Sequence, residues 1–141
     1  MIIEPERHIH LRIITSPAAA RMVGFDVYRT AVPKDAVFPF VVYKRANTAR
    51  EVALSAPLHL PVTSIQIASW AETPEQAGEL GDEIRRLFHG YIGTLANATI
   101  QDMRLISEVE DFIDPIATGA QLPPAYEVRQ LYSFRWQESD Q

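Results

Sequence analysis

Five segments of the chain carry the residues or the alternation that are typical of β-strands. The strongest is Ala125–Gln137, where apolar residues from Tyr126 to Trp136 alternate with polar ones. In Phe38–Arg45, the early Pro39 has no N–H to donate to a ladder, so this segment is predicted at a sheet edge or with Pro39 at its beginning. The predicted strands are Phe25–Thr30, Phe38–Arg45, Val62–Trp70, Thr99–Glu110 and Ala125–Gln137, with Met103, Leu105, Ser107 and Val109 on one face of the fourth.

The segment Thr73–His89 is predicted as the main helix. Thr73 is a suitable N-cap, Pro74 stands at the first helical position, and Gln76 completes a capping box. Gly90 follows as the C-terminal cap. Because only one side of this helix is apolar, it is expected to lie on one face of a sheet. The apolar stripe consists of Ala77, Leu80, Ile84, Leu87 and Phe88.

The residues before the first strand are predicted to be helical, although Glu6–Ile14 is also compatible with a strand. Ser16 is an N-cap and Pro17 begins a second short helix that Gly24 ends, unless both pieces form one broken helix. The order is helix, two strands, long loop, strand, helix, two strands. This order favours an α+β fold: an antiparallel sheet of about five strands, a main helix packed on one face, and a short N-terminal helix.

The connection Asn47–Pro61 is longer than most connections in a compact domain. Its apolar residues are too many for a loop exposed to water, so it is interpreted either as an arm that packs on another chain or as a segment that folds onto its own domain. In an arm, Arg45, Arg50 and Glu51 would form a polar rim. Trp136 is a further candidate contact, although its stripe is more typical of a core. The apolar residues of the connection are Val52, Leu54, Leu58 and Leu60.

Length and composition restrict the class of protein. With 141 residues, the chain is predicted to form a single domain over 1–141, with 46–61 as a long loop or arm and 138–141 as a frayed tail. A hydrophobic fraction of 47% and a charged fraction of 22% are typical of a folded globular protein. The absence of cysteine excludes disulfides and thiol nucleophiles. A net charge of −5 argues against binding nucleic acid through its phosphates.

The residues contain no recognisable catalytic, cofactor-binding or metal-binding motif. His8 and His10 are too few for a zinc site without a third ligand. The acidic run from Glu108 to Asp114 is better explained as a solvated strand end than as an acid/base pair. No apolar run approaches the roughly 20 residues that span a bilayer, and the first ten residues do not resemble a secretory signal. A small α+β ligand-binding domain or enzyme with an unrecognised pocket stays open as an alternative.

Several local sequences follow one another in a characteristic order from Ile9 to Gln137. In this order and content the chain resembles the tail-completion family of long-tailed bacteriophages and prophages, which includes tail terminator and tail-to-head joining proteins. The connection Asn47–Pro61 lacks a glycine-containing hairpin tip, so its conformation is not carried over from the family. The sequences that carry the resemblance are Met22–Gly24, Phe25–Tyr28, Phe38–Tyr43, Ile65–Ala71, Ala77 with Leu80–Leu87, His89–Tyr91, Glu108–Asp111 and Leu131–Trp136.

The resemblance implies a structural virion protein that assembles as a ring, typically a hexamer, caps the tail tube and helps to join the tail to the head. Its implied partners are other copies of itself, the tail tube protein and a head-completion or neck protein, without specific binding of nucleic acid or a membrane. It implies no catalytic residues and no cofactor. The implied location is the tail or neck of the virion, and the host cytoplasm during assembly.

Overall fold

A computed structural model describes residues 5–23, 26–33, 36–49, 62–95, 98–113 and 124–138. These residues form helices and strands that alternate irregularly, so the α+β prediction is confirmed. The helices are α1 (Pro5–Thr15), α2 (Pro17–Val23) and α3 (Pro74–Phe88). The strands are β1 (Val27–Arg29), β2 (Phe40–Ala49), β3 (Val62–Ala71), β4 (Gly93–Leu95), β5 (Ala98–Ile113) and β6 (Ala125–Glu138).

The strands form a six-stranded sheet in the order β1-β2-β3-β6-β5-β4. All neighbouring strands are antiparallel except β1 and β2, which run parallel with Val27 opposite Val41. The prediction of about five antiparallel strands is therefore wrong in number and in one direction. A strand of three residues, such as β4, has too few positions to show an alternation, and alternation carries no information on strand direction.

Several predicted boundaries change because strands continue through cross-strand pairing. The prediction of a long loop from Asn47 is wrong for its first three residues. Asn47, Thr48 and Ala49 extend β2 and pair with Ser64, Thr63 and Val62. Glu138 belongs to β6 rather than to a frayed tail, because it pairs with Ala98. Pro39 directly precedes β2, which lies between β1 and β3. Of the two alternatives for Pro39, the beginning of the strand is therefore correct. The predicted cap Gly24, the rest of the arm (50–61), the loop 114–123 and the last residues 139–141 lie outside the described residues.

The core lies between the helices and one face of the sheet. The main helix has the predicted cap, since the Thr73 side chain accepts a hydrogen bond from the Gln76 amide at 3.1 Å, and Gly90 has the positive φ (+77°) of a C-terminal cap. Of its predicted stripe, Leu87 is half-buried and the other four residues are buried. The helical reading of the N-terminal segment is also right. The prediction nevertheless gave too small a role to α1, whose Ile9 and Ile13 are fully buried.

Contacts of α1 show the shape of the sheet. This helix contacts β1 and β2 near one edge, and also β4 and β5 near the other. A flat sheet would hold these edges several strand spacings apart, at about 4.8 Å for each pair of strands. The sheet therefore curls around α1. We call the face that carries the helices the helix face and the opposite one the outer face.

Two register shifts change the faces of β5. They lie between Gln101 and Arg104 and between Leu105 and Ser107. Each inserts an extra residue, and one extra residue moves all following side chains to the opposite face. Met103 is buried and Leu105 is half-buried, but Ser107 and Val109 are exposed. The prediction that these four residues share one face is wrong for this reason.

Candidate assembly surfaces

The predicted interface residues fall into two groups. Arg45 and Trp136 belong to the described strands β2 and β6. The other six lie outside the described residues, so their placement stays a prediction. They are Arg50, Glu51, Val52, Leu54, Leu58 and Leu60.

Arg45 connects β2 to α1 through a buried carboxylate. Its guanidinium donates to both oxygens of Glu6, with Nε–Oε1 at 2.5 Å and Nη2–Oε2 at 2.9 Å. Arg29 approaches the same carboxylate at 3.5 Å. Glu6 is fully buried, whereas the side chains of Arg45 and Arg29 are 33% and 48% exposed. Two guanidinium groups thus approach one buried carboxylate, and Arg45 makes the closer contact.

Trp136 lies within the subunit's own core. Its side chain is only 5% exposed. The indole Nε1–H donates to the Thr63 hydroxyl oxygen at 2.9 Å, which satisfies the polar end of the ring. The structure therefore matches the core interpretation that the sequence left open, and the ring offers little surface to a partner.

A second surface, which sequence analysis did not assign to assembly, runs along β5. On the side of β5 that does not pair with β6, the strand β4 covers only Ala98–Ile100. No described strand pairs with residues 101–113 on that side. We call residues 101–113 the β5 edge. It holds three of the five most exposed large hydrophobic side chains among the described residues. They are Ile106, Val109 and Phe112, exposed by 58%, 49% and 54%.

The β5 edge is also acidic. Glu108, Glu110 and Asp111 are all exposed. Asp111 accepts a hydrogen bond from the backbone N–H of Phe112 at 2.9 Å. Glu108 accepts one from Gln130 at 2.7 Å. The interpretation of this run as solvated agrees with the exposure of these three side chains.

An aromatic cluster covers part of the outer face. Phe38 stacks on Phe40 and Phe40 stacks on Trp70, each with ring centroids 5.3 Å apart. The Trp70 indole donates to Glu127 at 2.8 Å, and Arg129 donates to the other oxygen of Glu127 at 3.1 Å. Phe40 is fully buried by this packing. The rings of this cluster therefore pack on one another within the subunit.

The two histidines of α1 have tyrosine partners. His8 Nε2 lies 2.7 Å from the Tyr91 hydroxyl, and His10 Nδ1 lies 3.1 Å from the Tyr43 hydroxyl. Burial, together with the nearby charge of Arg7, lowers the pKa of His10. Among the described residues, no group of three or more His, Asp or Glu side chains could hold a metal ion. Both histidines therefore join α1 to its neighbours.

A buried polar network joins α3 to the sheet. The Gln130 amide donates to the Gly81 carbonyl at 2.9 Å and to Glu108 at 2.7 Å. The Tyr132 hydroxyl donates to the Gln130 side-chain oxygen at 3.0 Å. Burial raises the pKa of Tyr132, and the nearby Glu108 raises it further, so the hydroxyl stays protonated and available as a donor.

The described surface has clefts at the end of α3 and on the outer face. One of about 300 Å³ lies beside His89, Asp102 and Arg104. The other, of about 190 Å³, lies on the outer face beside Lys44, Trp70 and Glu127. The larger cleft is formed where α3 ends and β5 bulges.

None of the described helices combines the length and the apolar character that crossing a membrane requires.

Comparison with known proteins decides the family. A model of the family described as tail completion protein gp17 matches residues 7–115. The chain belongs to this family. Membership makes it a structural tail protein of the bacteriophage type and implies a role without catalysis. A search among curated proteins found no match.

The fold of this tail completion family member also occurs in a solved particle. A chain in a structure of the virion of a native gene transfer agent particle superimposes with a TM-score of 0.71. The match covers 91% of this chain and 90% of that chain, with 12% sequence identity. At this identity the likeness shows the shared fold.

Proposed function

We propose that the protein forms a ring, typically a hexamer, that caps the tail tube and helps to join the tail to the head. The observation that carries this proposal is the family match over residues 7–115. A fold shared with a chain of a gene transfer agent virion supports a role inside a particle. Its partners would be further copies of itself, the tail tube protein and a head-completion or neck protein.

The charge of the chain is compatible with this position. A ring at the junction of head and tail surrounds the passage for DNA. Basic groups on such a passage would bind phosphates and retain the DNA. The chain carries a net charge of −5, which disfavours this retention.

We also propose that residues 50–61 form an arm that contacts a neighbouring subunit or the tail tube. Ala49 and Val62 pair across β2 and β3, so the connection leaves and returns at adjacent positions at the end of this hairpin. Arg45 stays partly exposed while it is bonded to Glu6, and this exposed part would contribute to the polar rim with Arg50 and Glu51. The apolar contact would come from Val52, Leu54, Leu58 and Leu60.

Native mass spectrometry of the purified protein, over a series of concentrations and with or without tail tubes, tests the ring. We expect one discrete oligomer, or discrete rings located at tube ends by electron microscopy. A protein that stays monomeric at every concentration and does not bind tube ends would contradict the proposal.

A further inference from the structure

Exposed apolar side chains of the β5 edge lie on both faces of the sheet. Val109 is opposite Arg129, whose side chain belongs to the outer face. Phe112 is opposite Tyr126 on the helix face, with ring centroids 5.3 Å apart. A partner that lies on one face would cover only one of these residues. A strand that pairs with the edge brings side chains to both faces, and thus covers both.

Acidic residues restrict which strand can pair there. Charged side chains on an open strand edge oppose indiscriminate pairing. The side chain of Glu110 is exposed, Glu108 accepts a hydrogen bond from the neutral Gln130, and Asp111 lies 3.7 Å from Arg129, so the edge carries negative charge. A strand that carries positive charge would therefore be favoured over others.

The opposite edge of the same sheet has this character. β1 pairs with β2 only at Val41–Tyr43, so no described strand flanks that side of β2 over residues 44–49, which we call the β2 edge. Lys44 and Arg45 begin the β2 edge, and Arg29 stands beside it in β1. Glu6 is the carboxylate that Arg29 and Arg45 share. Lys44 is exposed and Arg45 is partly exposed, so the β2 edge offers positive charge to the acidic β5 edge.

Strand directions allow the two edges to meet. β6 runs parallel to β2, because two antiparallel steps separate them, and β5 is antiparallel to β6. β5 is therefore antiparallel to β2. If copies are related by rotation about an axis along the strands, β5 of one copy lies antiparallel to β2 of the next. Such a head-to-tail contact uses two different surfaces and closes into a ring when the rotation closes.

We propose that the β5 edge of one copy pairs with the β2 edge of the next, so that the sheet continues from subunit to subunit. This inference rests on the proposed ring and identifies the surfaces that form it. Ile106, Val109 and Phe112 supply the apolar contact. The acidic groups of the β5 edge face the basic groups of the β2 edge.

Cysteine cross-linking tests the pairing, because the natural chain has no cysteine. The test variant is Val109→Cys/Lys44→Cys. Both positions belong to the outer face, Val109 opposite Arg129 and Lys44 opposite Gln66, so a continuous sheet would place them on the same side. A short bis-methanethiosulfonate linker that joined the two positions within one chain would give no multimer. Covalent multimers therefore report links between different copies.

The expected result is a ladder of covalent multimers that ends at the ring size, in the Val109→Cys/Lys44→Cys variant only. Each single variant should stay uncoupled. The matched control Glu79→Cys/Lys44→Cys also carries two cysteines, one of them on the exposed surface of α3, and should give no ladder. All three positions are exposed, so the variants should fold. Thermal unfolding checks this.

Other outcomes overturn the inference in distinguishable ways. Covalent dimers from Val109→Cys alone would show that two β5 edges pair with each other. No multimers, in a variant that still forms the natural ring by native mass, would show that the ring uses another surface and would leave the proposed function intact. A wild-type protein without any ring would contradict the function and the inference together.

Discussion

Glu6 shows how one buried charge can determine the position of a helix. A carboxylate without a partner is costly to bury, but this one accepts two hydrogen bonds from Arg45 and approaches Arg29. Arg45 is predicted as a rim residue, whereas its partner Glu6 carries no signal in the sequence. The two residues are 39 positions apart, and only the packing of α1 against the sheet brings them together.

Arg45→Ala should destabilise the fold more than Arg29→Ala. Removing Arg45 takes away both short hydrogen bonds and leaves the buried carboxylate with the 3.5 Å contact of Arg29. We expect a loss of about 2–3 kcal/mol in unfolding free energy, below the cost of a fully unpaired buried charge. Removing Arg29, which is half exposed, should cost at most about 1 kcal/mol. Urea unfolding of both variants measures the difference, and equal losses would contradict this role of Arg45.

The helix α3 lies close to the sheet at Gly81. A Cβ on Gly81 would lie 2.8 Å from Val128 Cγ1, which is closer than atoms pack without a shift. The Gly81 carbonyl also accepts the hydrogen bond from Gln130. Gly78, three residues earlier on the same helix, has no atom within 4 Å of such a Cβ. The two glycines therefore serve as a matched pair.

Gly78→Ala and Gly81→Ala should have opposite effects. Alanine at Gly78 should stabilise the protein by about 0.5–1 kcal/mol, because glycine is a poor helix former and the site has room. The same gain at Gly81 is outweighed by overpacking against Val128, with a net loss of about 1–2 kcal/mol. Thermal or urea unfolding decides between these signs. A stabilisation at Gly81 equal to that at Gly78 would show that α3 does not pack this closely.

Elements were predictable where their signals are local. The cap of α3 at Thr73, its apolar stripe and the cap at Gly90 all lie within one segment, so the sequence identified this helix almost completely. The faces of β5 were not predictable, because the shift between Leu105 and Ser107 depends on pairing with β6. The direction of β1 was not predictable either. It depends on the path by which the chain returns to the same end of the sheet before β2 begins.

For the whole molecule, the family was predictable and the surfaces only in part. The order of elements sufficed for the resemblance, which the match over residues 7–115 confirms. Which strand edges lie open follows from the sheet order β1-β2-β3-β6-β5-β4. This order joins segments far apart in sequence, so no local pattern reveals it. Trp136 shows a different limit. Its strand was predictable from the local alternation, but the same alternation fits a core residue or an interface residue.

The arm proposed for residues 50–61 is tested by Leu54→Ala/Leu58→Ala. If these side chains pack on a neighbouring subunit or on the tube, their truncation should weaken assembly more than folding, because the lost apolar area is buried only in the assembly. Native mass spectrometry measures the ring and urea unfolding measures the subunit. We expect a shift of the ring towards monomers, by at least tenfold in concentration, with a change in unfolding free energy of less than about 0.5 kcal/mol.

Leu80→Ala provides the matched control for a leucine that belongs to the subunit's own core. Its side chain is 1% exposed beneath α3, so its truncation should cost about 2–5 kcal/mol in unfolding free energy. The contrary result is that the double variant Leu54→Ala/Leu58→Ala loses as much unfolding free energy as this control while its folded fraction still forms rings. That result would show that the segment folds onto its own domain. The interface would then have to be formed by the sheet edges alone.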